Sequence, residues 1–212
     1  MTDPNDPHKG QPVLHYGATI ASARRAAIFI HGRGASAEDI LGIASELGTK
    51  DVAYLAPQAA GNAWYPYSFL SPISQNEPGL TSALGVIGAL VETLGTDGHG
   101  PERIVILGFS QGACLGLEFA ARNPQRFAAV VALSGGLIGP PGTPRNYRGS
   151  LADTPVFLGC SDVDPHIPLE RVHESAEVLR RMDARVDERI YKRMGHTINA
   201  DELAAVGELI GQ

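Results

Sequence analysis

A serine stands at the centre of Gly108-Phe109-Ser110-Gln111-Gly112. The apolar run 103–107 precedes it and reads as a buried strand. Residues 113–121 follow it and read as a helix. A serine on a sharp strand-to-helix turn is a nucleophile elbow. Such a turn strains the backbone at the serine, and the flanking Gly108 and Gly112 remove the side chains that would clash. The hydroxyl then stands clear of the sheet, above a helix N-terminus that favours negative charge. A purely structural tight turn needs the same glycines. The strand before it and the helix after it favour the chemical reading, which is nucleophilic attack by the serine hydroxyl.

A serine hydroxyl is a weak nucleophile at neutral pH. It needs a base, and the base needs an orienting acid. On a sheet of this kind the chain order is serine, acid, histidine. There are seven histidines. His8 and His15 are N-terminal, His31 ends an early strand, His99 lies in a Gly-rich loop, and His166 and His173 sit beside or within a helix that starts near Pro168. Only His196 follows a late strand in a loop, behind Gly195, which lets the chain turn sharply. The acid belongs after strand 155–160, where Ser161-Asp162-Val163-Asp164-Pro165-His166 supplies two carboxylates. Pro165 holds Asp164 extended, which makes Asp164 the orienting acid. Asp162 reads as a turn aspartate capping its own backbone. His166 is too near Asp164 in sequence to bridge it to Ser110.

The oxyanion of a tetrahedral intermediate needs two backbone donors. The amide of Gln111, next after the nucleophile, is one. The loop His31-Gly32-Arg33-Gly34 follows an early strand, and the amide of Arg33 is the other. The side chain of Arg33 reads either as a contact to an anionic group or as a solvated charge.

These residues require a scaffold. Strand patterns fall at 26–30, 52–56, 103–107, 127–133, 155–160 and 185–192. Helical patterns fall at 36–47, 80–94, 113–121, 168–182 and 200–210. Ser36 caps the first of these, with Glu38 and Asp39 in its first turn. The βαβα rhythm predicts an α/β fold, a mostly parallel central sheet with helices on both faces. Function then falls at the carboxyl ends of the strands. Residues 1–14 read as a flexible N-terminal segment and 15–212 as a single domain. Residues 135–153, rich in Gly and Pro, read as a surface excursion.

Composition excludes several classes. A formal net charge of −6 and the lack of a basic run argue against nucleic acid and anionic membranes as partners. The longest apolar stretch, 83–91, is too short to span a bilayer, and residues 1–12 lack a signal-peptide core. Two cysteines do not make a disulfide framework, and Cys114 and Cys160 read as small buried apolar residues. A cytoplasmic protein is the expectation. An exposed helix or sheet edge is where a homodimer would form. The stretch 32–37 also fits a dinucleotide fingerprint, but the next strand ends Leu55-Ala56-Pro57 with no acid for a ribose. No His/Asp cluster has the spacing of a zinc site. The expectation is therefore chemistry without metal or cofactor. A silent fold of the same class, acting as a binding protein, is the alternative outside enzymes.

Together, His31-Gly32-Arg33-Gly34, Ala56-Pro57, Trp64-Tyr65-Pro66, the elbow, Ser134-Gly135, Asp162-Val163-Asp164-Pro165 and Gly195-His196 resemble the phospholipase/carboxylesterase family of α/β hydrolases, which includes the acyl-protein thioesterases. The likeness runs from about His15 to the C-terminus. It implies the α/β-hydrolase fold, a nucleophile at Ser110, an acid at Asp164, a base at His196, and oxyanion amides at Arg33 and Gln111. His166 departs from the aliphatic residue common after the family's Asp-Pro. Residues 58–69 look like the bacterial esterase branch. The implied activity is hydrolysis of short- to medium-chain carboxylic esters, with thioester or lysophospholipid cleavage as the alternative. Trp64, Tyr65, Phe69 and Leu70, in the aromatic loop 61–77, either line the acyl pocket or cover the core. The prediction takes them as pocket residues.

Overall fold

The computed structural model describes residues 3–212. In chain order the elements are β1 (Val13–Gly17), β2 (Arg25–Ile30), α1 (Ala37–Leu47), β3 (Val52–Pro57), α2 (Gly79–Thr96), β4 (Ile104–Phe109), α3 (Gln111–Arg122), β5 (Ala129–Leu133), β6 (Pro155–Ser161), α4 (Leu169–Arg181), β7 (Arg185–Tyr191) and α5 (Ala200–Gly211). The strands form one seven-stranded sheet in the order β1-β3-β2-β4-β5-β6-β7. β1 runs antiparallel to β3, and every other pairing is parallel.

The inner strands are continuous apolar runs because both of their faces are covered. Alternate residues part to opposite sides of the sheet. Ile28, Ile30, Ile104 and Ile106 pack with residues of α2, α3 and α4 in one core cluster. Phe29, Val105 and Leu107 pack with residues of α1 and α5 in the other. Local signals set the helix ends. Ser36 and Asp39 close a reciprocal capping box on α1, and Gly48, at φ 64°, ends that helix in the left-handed region. Asn199 and Glu202 form the same box on α5.

Two sequence expectations need correction. No strand was expected before residue 26, yet Val13–Gly17 forms the antiparallel edge strand. None of its five residues is buried and three are exposed, so its apolar signal is weak. Upstream, His8 is buried, with its Nε2 2.9 Å from the Trp64 carbonyl and its Nδ1 3.1 Å from the Ala60 amide.

The second correction is the 135–153 excursion. Its outer part is largely exposed, but residues 134–139 are buried. Leu137 and Ile138 join the core. Their backbone is satisfied by buried polar side chains, which makes an interior loop tolerable. Arg171 donates to the carbonyls of Leu137 and Gly139 at 2.7 and 2.6 Å. Ser175 Oγ accepts from the Leu137 amide, and Glu118 from the Ile138 amide. The Gly139 amide donates to the Phe69 carbonyl at 2.7 Å, tying this loop to the aromatic one.

Candidate active site

The ends of β4, β6 and β7 and the loop after β2 meet at one rim of the sheet. At the end of β4 the chain turns at Ser110 with φ 54° and ψ −116°. The turn brings backbone so close that a Cβ on Gly108 would lie 2.2 Å from Gly112, and one on Gly112 would lie 2.1 Å from the Ile30 carbonyl oxygen. Only glycine fits at either position. The Ser110 amide donates to the Leu133 carbonyl at 2.9 Å and fixes the turn to β5.

Asp164 lies in the turn after β6, its side chain shut off from solvent. Its Oδ1 accepts from the amides of His166 (2.8 Å) and Ile167 (3.0 Å). Its Oδ2 lies 2.7 Å from Nδ1 of His196. Burial works against the charged carboxyl, but the bond to His196 and the two amides outweigh it and hold Asp164 below the usual carboxylate range. With Nδ1–H donated to Asp164, Nε2 of His196 is free to accept from the Ser110 hydroxyl at 2.9 Å. The rings of Phe109 and His166 flank the imidazole, with centroids 5.0 and 4.8 Å away.

The loop that carries His196 is held from two sides. Ser161 Oγ accepts from the amides of Gly195 and Val163. Asp162 Oδ1 accepts from the Arg193 amide at 2.8 Å. Asp162 was expected to cap its own turn. It braces the histidine loop instead, because the parallel pairing of β6 with β7 sets their two exits side by side.

The amide of Gln111 opens α3 and has no intrahelical acceptor. Among the described residues the amide of Arg33 also finds no acceptor. Gly32 lets this loop run close to the elbow: a Cβ there would sit 3.4 Å from that of Ser110. Both amides flank the Ser110 turn. The Arg33 guanidinium serves another purpose. It donates to the carbonyls of Tyr65 (2.8 Å), Pro66 (3.0 Å) and Tyr67 (2.6 Å), clamping the aromatic loop.

That loop is also tied to α3. Gln111 Oε1 accepts from the Trp64 amide, and its Nε2 donates to the Tyr65 carbonyl, both at 2.9 Å. A cavity of about 640 Å³ opens beside Ser110. Tyr65, Phe69, Phe109, Cys114 and Ile167 contribute apolar surface to its lining, and Arg33, Ser68 and His166 polar surface.

Of the four side chains predicted for the pocket, Tyr65 and Phe69 line this cavity, whereas Trp64 and Leu70 do not. Trp64 is wholly buried, its indole N–H donating to the His31 carbonyl at 2.9 Å and its ring set between His8 and His31. Leu70 packs against the core. Phe69 belongs to that same core cluster and also borders the cavity, which Leu70 does not reach. The sequence reading passed over the wall residues Phe109 and Ile167, which adjoin the elbow and the acid's turn. It also passed over the side chain of Gln111. Burial lowers the pKa values of His8 and His31 and pushes the Cys114 thiol up to about 12. These groups are structural neighbours of the site.

Comparison with known proteins agrees with the fold and with the family resemblance. Residues 18–212 match the family model described as Phospholipase/Carboxylesterase. The chain is 29% identical to acyl-protein thioesterase 1 of Saccharomyces cerevisiae, over 93% of this chain and 96% of that one. The crystal structure of a phospholipase/carboxylesterase from Dyadobacter fermentans superposes with a TM-score of 0.92 at 40% identity, covering 96% of this chain and 97% of that one. A carboxylesterase from Bacillus cereus, 18% identical, shares the fold at a TM-score of 0.74 over 96% of this chain and 94% of its own. A seven-stranded α/β-hydrolase sheet, a serine elbow with an imidazole in reach, and a match across nearly the whole chain lead to one conclusion: the protein is an ester hydrolase that belongs to the phospholipase/carboxylesterase family.

Proposed function

We propose that the protein is a serine carboxylesterase that cleaves short- to medium-chain esters through an acyl-enzyme. The observation that carries this reading is the unbroken chain from Ser110 Oγ to His196 Nε2 at 2.9 Å and from His196 Nδ1 to Asp164 Oδ2 at 2.7 Å. Ser110 attacks the ester carbonyl while His196 takes its proton. The amides of Arg33 and Gln111 receive the oxyanion. The imidazolium, stabilised by Asp164, gives its proton to the departing alcohol. Water attacks the acyl-serine as His196 takes a proton from it, and collapse of the second intermediate frees the acid and restores Ser110.

The size of the cavity supports the acyl range. About 640 Å³ lies within the usual span for small-molecule sites, and its lining mixes apolar and polar side chains. The resemblance to acyl-protein thioesterase 1 supports thioester cleavage as a second reaction of the same centre. The free, buried Cys114 and Cys160 fit a reducing, cytoplasmic setting.

The test has two parts. A fluorophosphonate probe labels wild-type protein and not Ser110→Ala. Rates on p-nitrophenyl esters of graded length peak at short or medium chains and exceed those on a palmitoyl thioester and a lysophospholipid. An unlabelled wild type sinks the mechanism. A maximum on the palmitoyl thioester or the lysophospholipid reassigns the substrate.

A further inference from the structure

One buried thiol touches the proposed acid, and the mechanism above does not use it. Cys160, at the end of β6, has no exposure to solvent. Its Sγ lies 3.8 Å from Asp164 Oδ2, the oxygen that receives His196. Behind it sits Ser134, where the chain leaves β5 with φ 54°. The Ser134 amide donates to the Gly159 carbonyl at 2.7 Å, which holds the residue against the end of β6. The Ser134 hydroxyl is fully buried beside the thiol and, among the described residues, has no hydrogen-bond partner.

From this placement we infer that Cys160 is a positioning residue: its S–H donates to Asp164 Oδ2, and the Ser134 hydroxyl backs the thiol. The row then reads Ser134, Cys160, Asp164, His196, Ser110. This role rests on the acyl-enzyme reading.

The chemistry leaves the thiol no other role toward that oxygen. A carboxylate accepts and cannot donate. Burial first, and then the Asp164 charge, push the Cys160 thiol up to about 12, so it keeps its proton near neutral pH. The titratable groups facing Cys160 are Asp164 on its own turn, His196 beyond it on the loop after β7, and Glu202 on α5. A donor on Oδ2 competes with the imidazole for the same lone pairs. It moderates the pull of the carboxylate on His196 and holds the carboxyl plane in line with Nδ1.

The test compares wild type, Cys160→Ala and Cys160→Ser, each rate normalised to the sites titrated by the fluorophosphonate probe. In Cys160→Ala the acid limb of the kcat/KM profile moves to higher pH by about half a unit. Its kcat falls by about three- to tenfold while KM holds. Cys160→Ser keeps a donor and returns the limb toward wild type. Coincident limbs in wild type and Cys160→Ala overturn the role. Equal displacement in both variants also overturns it, since that marks a packing effect.

A second reading needs no change at residue 160. In Cys114→Ala, where Cys160 is the sole thiol, the infrared S–H stretching band shifts as the Asp164–His196 pair titrates. An invariant band overturns the role. Failure of the probe to label wild type would instead sink the acyl-enzyme reading, so the two failures are distinguishable.

Discussion

The guanidinium of Arg33 hangs on the carbonyl of Tyr65, 2.8 Å away, and on the two carbonyls that follow. The side chain of this residue thus binds the loop that walls the cavity. Arg33→Ala keeps the amide and cuts the clamp. KM for a p-nitrophenyl butyrate substrate then rises by about tenfold, while kcat stays within about threefold. A large fall in kcat with constant KM would show that the side chain acts in the transition state instead.

Ser110→Ala or His196→Ala lowers kcat by roughly a thousandfold or more, and the double variant is no worse than either alone. Steady-state hydrolysis of the same ester checks this. Activity near wild type in either variant removes that residue from the mechanism.

Asp164 and Asp162 stand two residues apart with different partners. Asp164→Asn presents the wrong group to His196 Nδ1, and kcat/KM drops by about a hundredfold or more. Asp162→Asn still offers an oxygen to the Arg193 amide, and the loss stays within about tenfold. The opposite order would move the acid to Asp162.

Glu202 sets a pH dependence of stability. It is fully buried, with Oε2 accepting from the Asn199 amide and Oε1 without a partner among the described residues. Burial raises its pKa from 4.5 to about 7. The folded state therefore holds this proton more tightly than the unfolded chain, so stability falls as pH rises from about 4.5 through 7. The loss is at most about 3 kcal/mol. Glu202→Gln keeps the capping acceptor and removes the ionisation, so its denaturation midpoint falls less than the wild type's across that window. Parallel curves would refute this. Asp164 works in the opposite direction: its lowered pKa adds stability that is lost as pH falls into the acid range.

Much of the site was legible because its residues obey local rules. The elbow is written in Gly108 and Gly112, whose absent side chains the turn demands. Asp164 was marked by the proline that follows it, and His196 by the glycine before it. Strands and helices announced themselves through apolar runs and caps. β1 was missed because an edge strand exposed on one side needs few apolar residues. The inward course of residues 134–139 was missed because glycine and proline read as surface signals. Its burial is licensed by Glu118, Arg171 and Ser175, which come from two other helices.

The chain alone determined the sheet, the turn and the types of group available for acyl transfer, since backbone sterics and hydrophobic period act between near neighbours. Only the tertiary structure decided which groups touch. It shut Trp64 wholly into the core while leaving Phe69 at the edge of both core and cavity, turned the Arg33 side chain onto a loop, and made Asp162 a brace. The Trp64, Arg33 and Asp162 contacts span 31 to 34 positions of chain and the Ser110–His196 contact 86, where distance in space is set by sheet order and not by sequence.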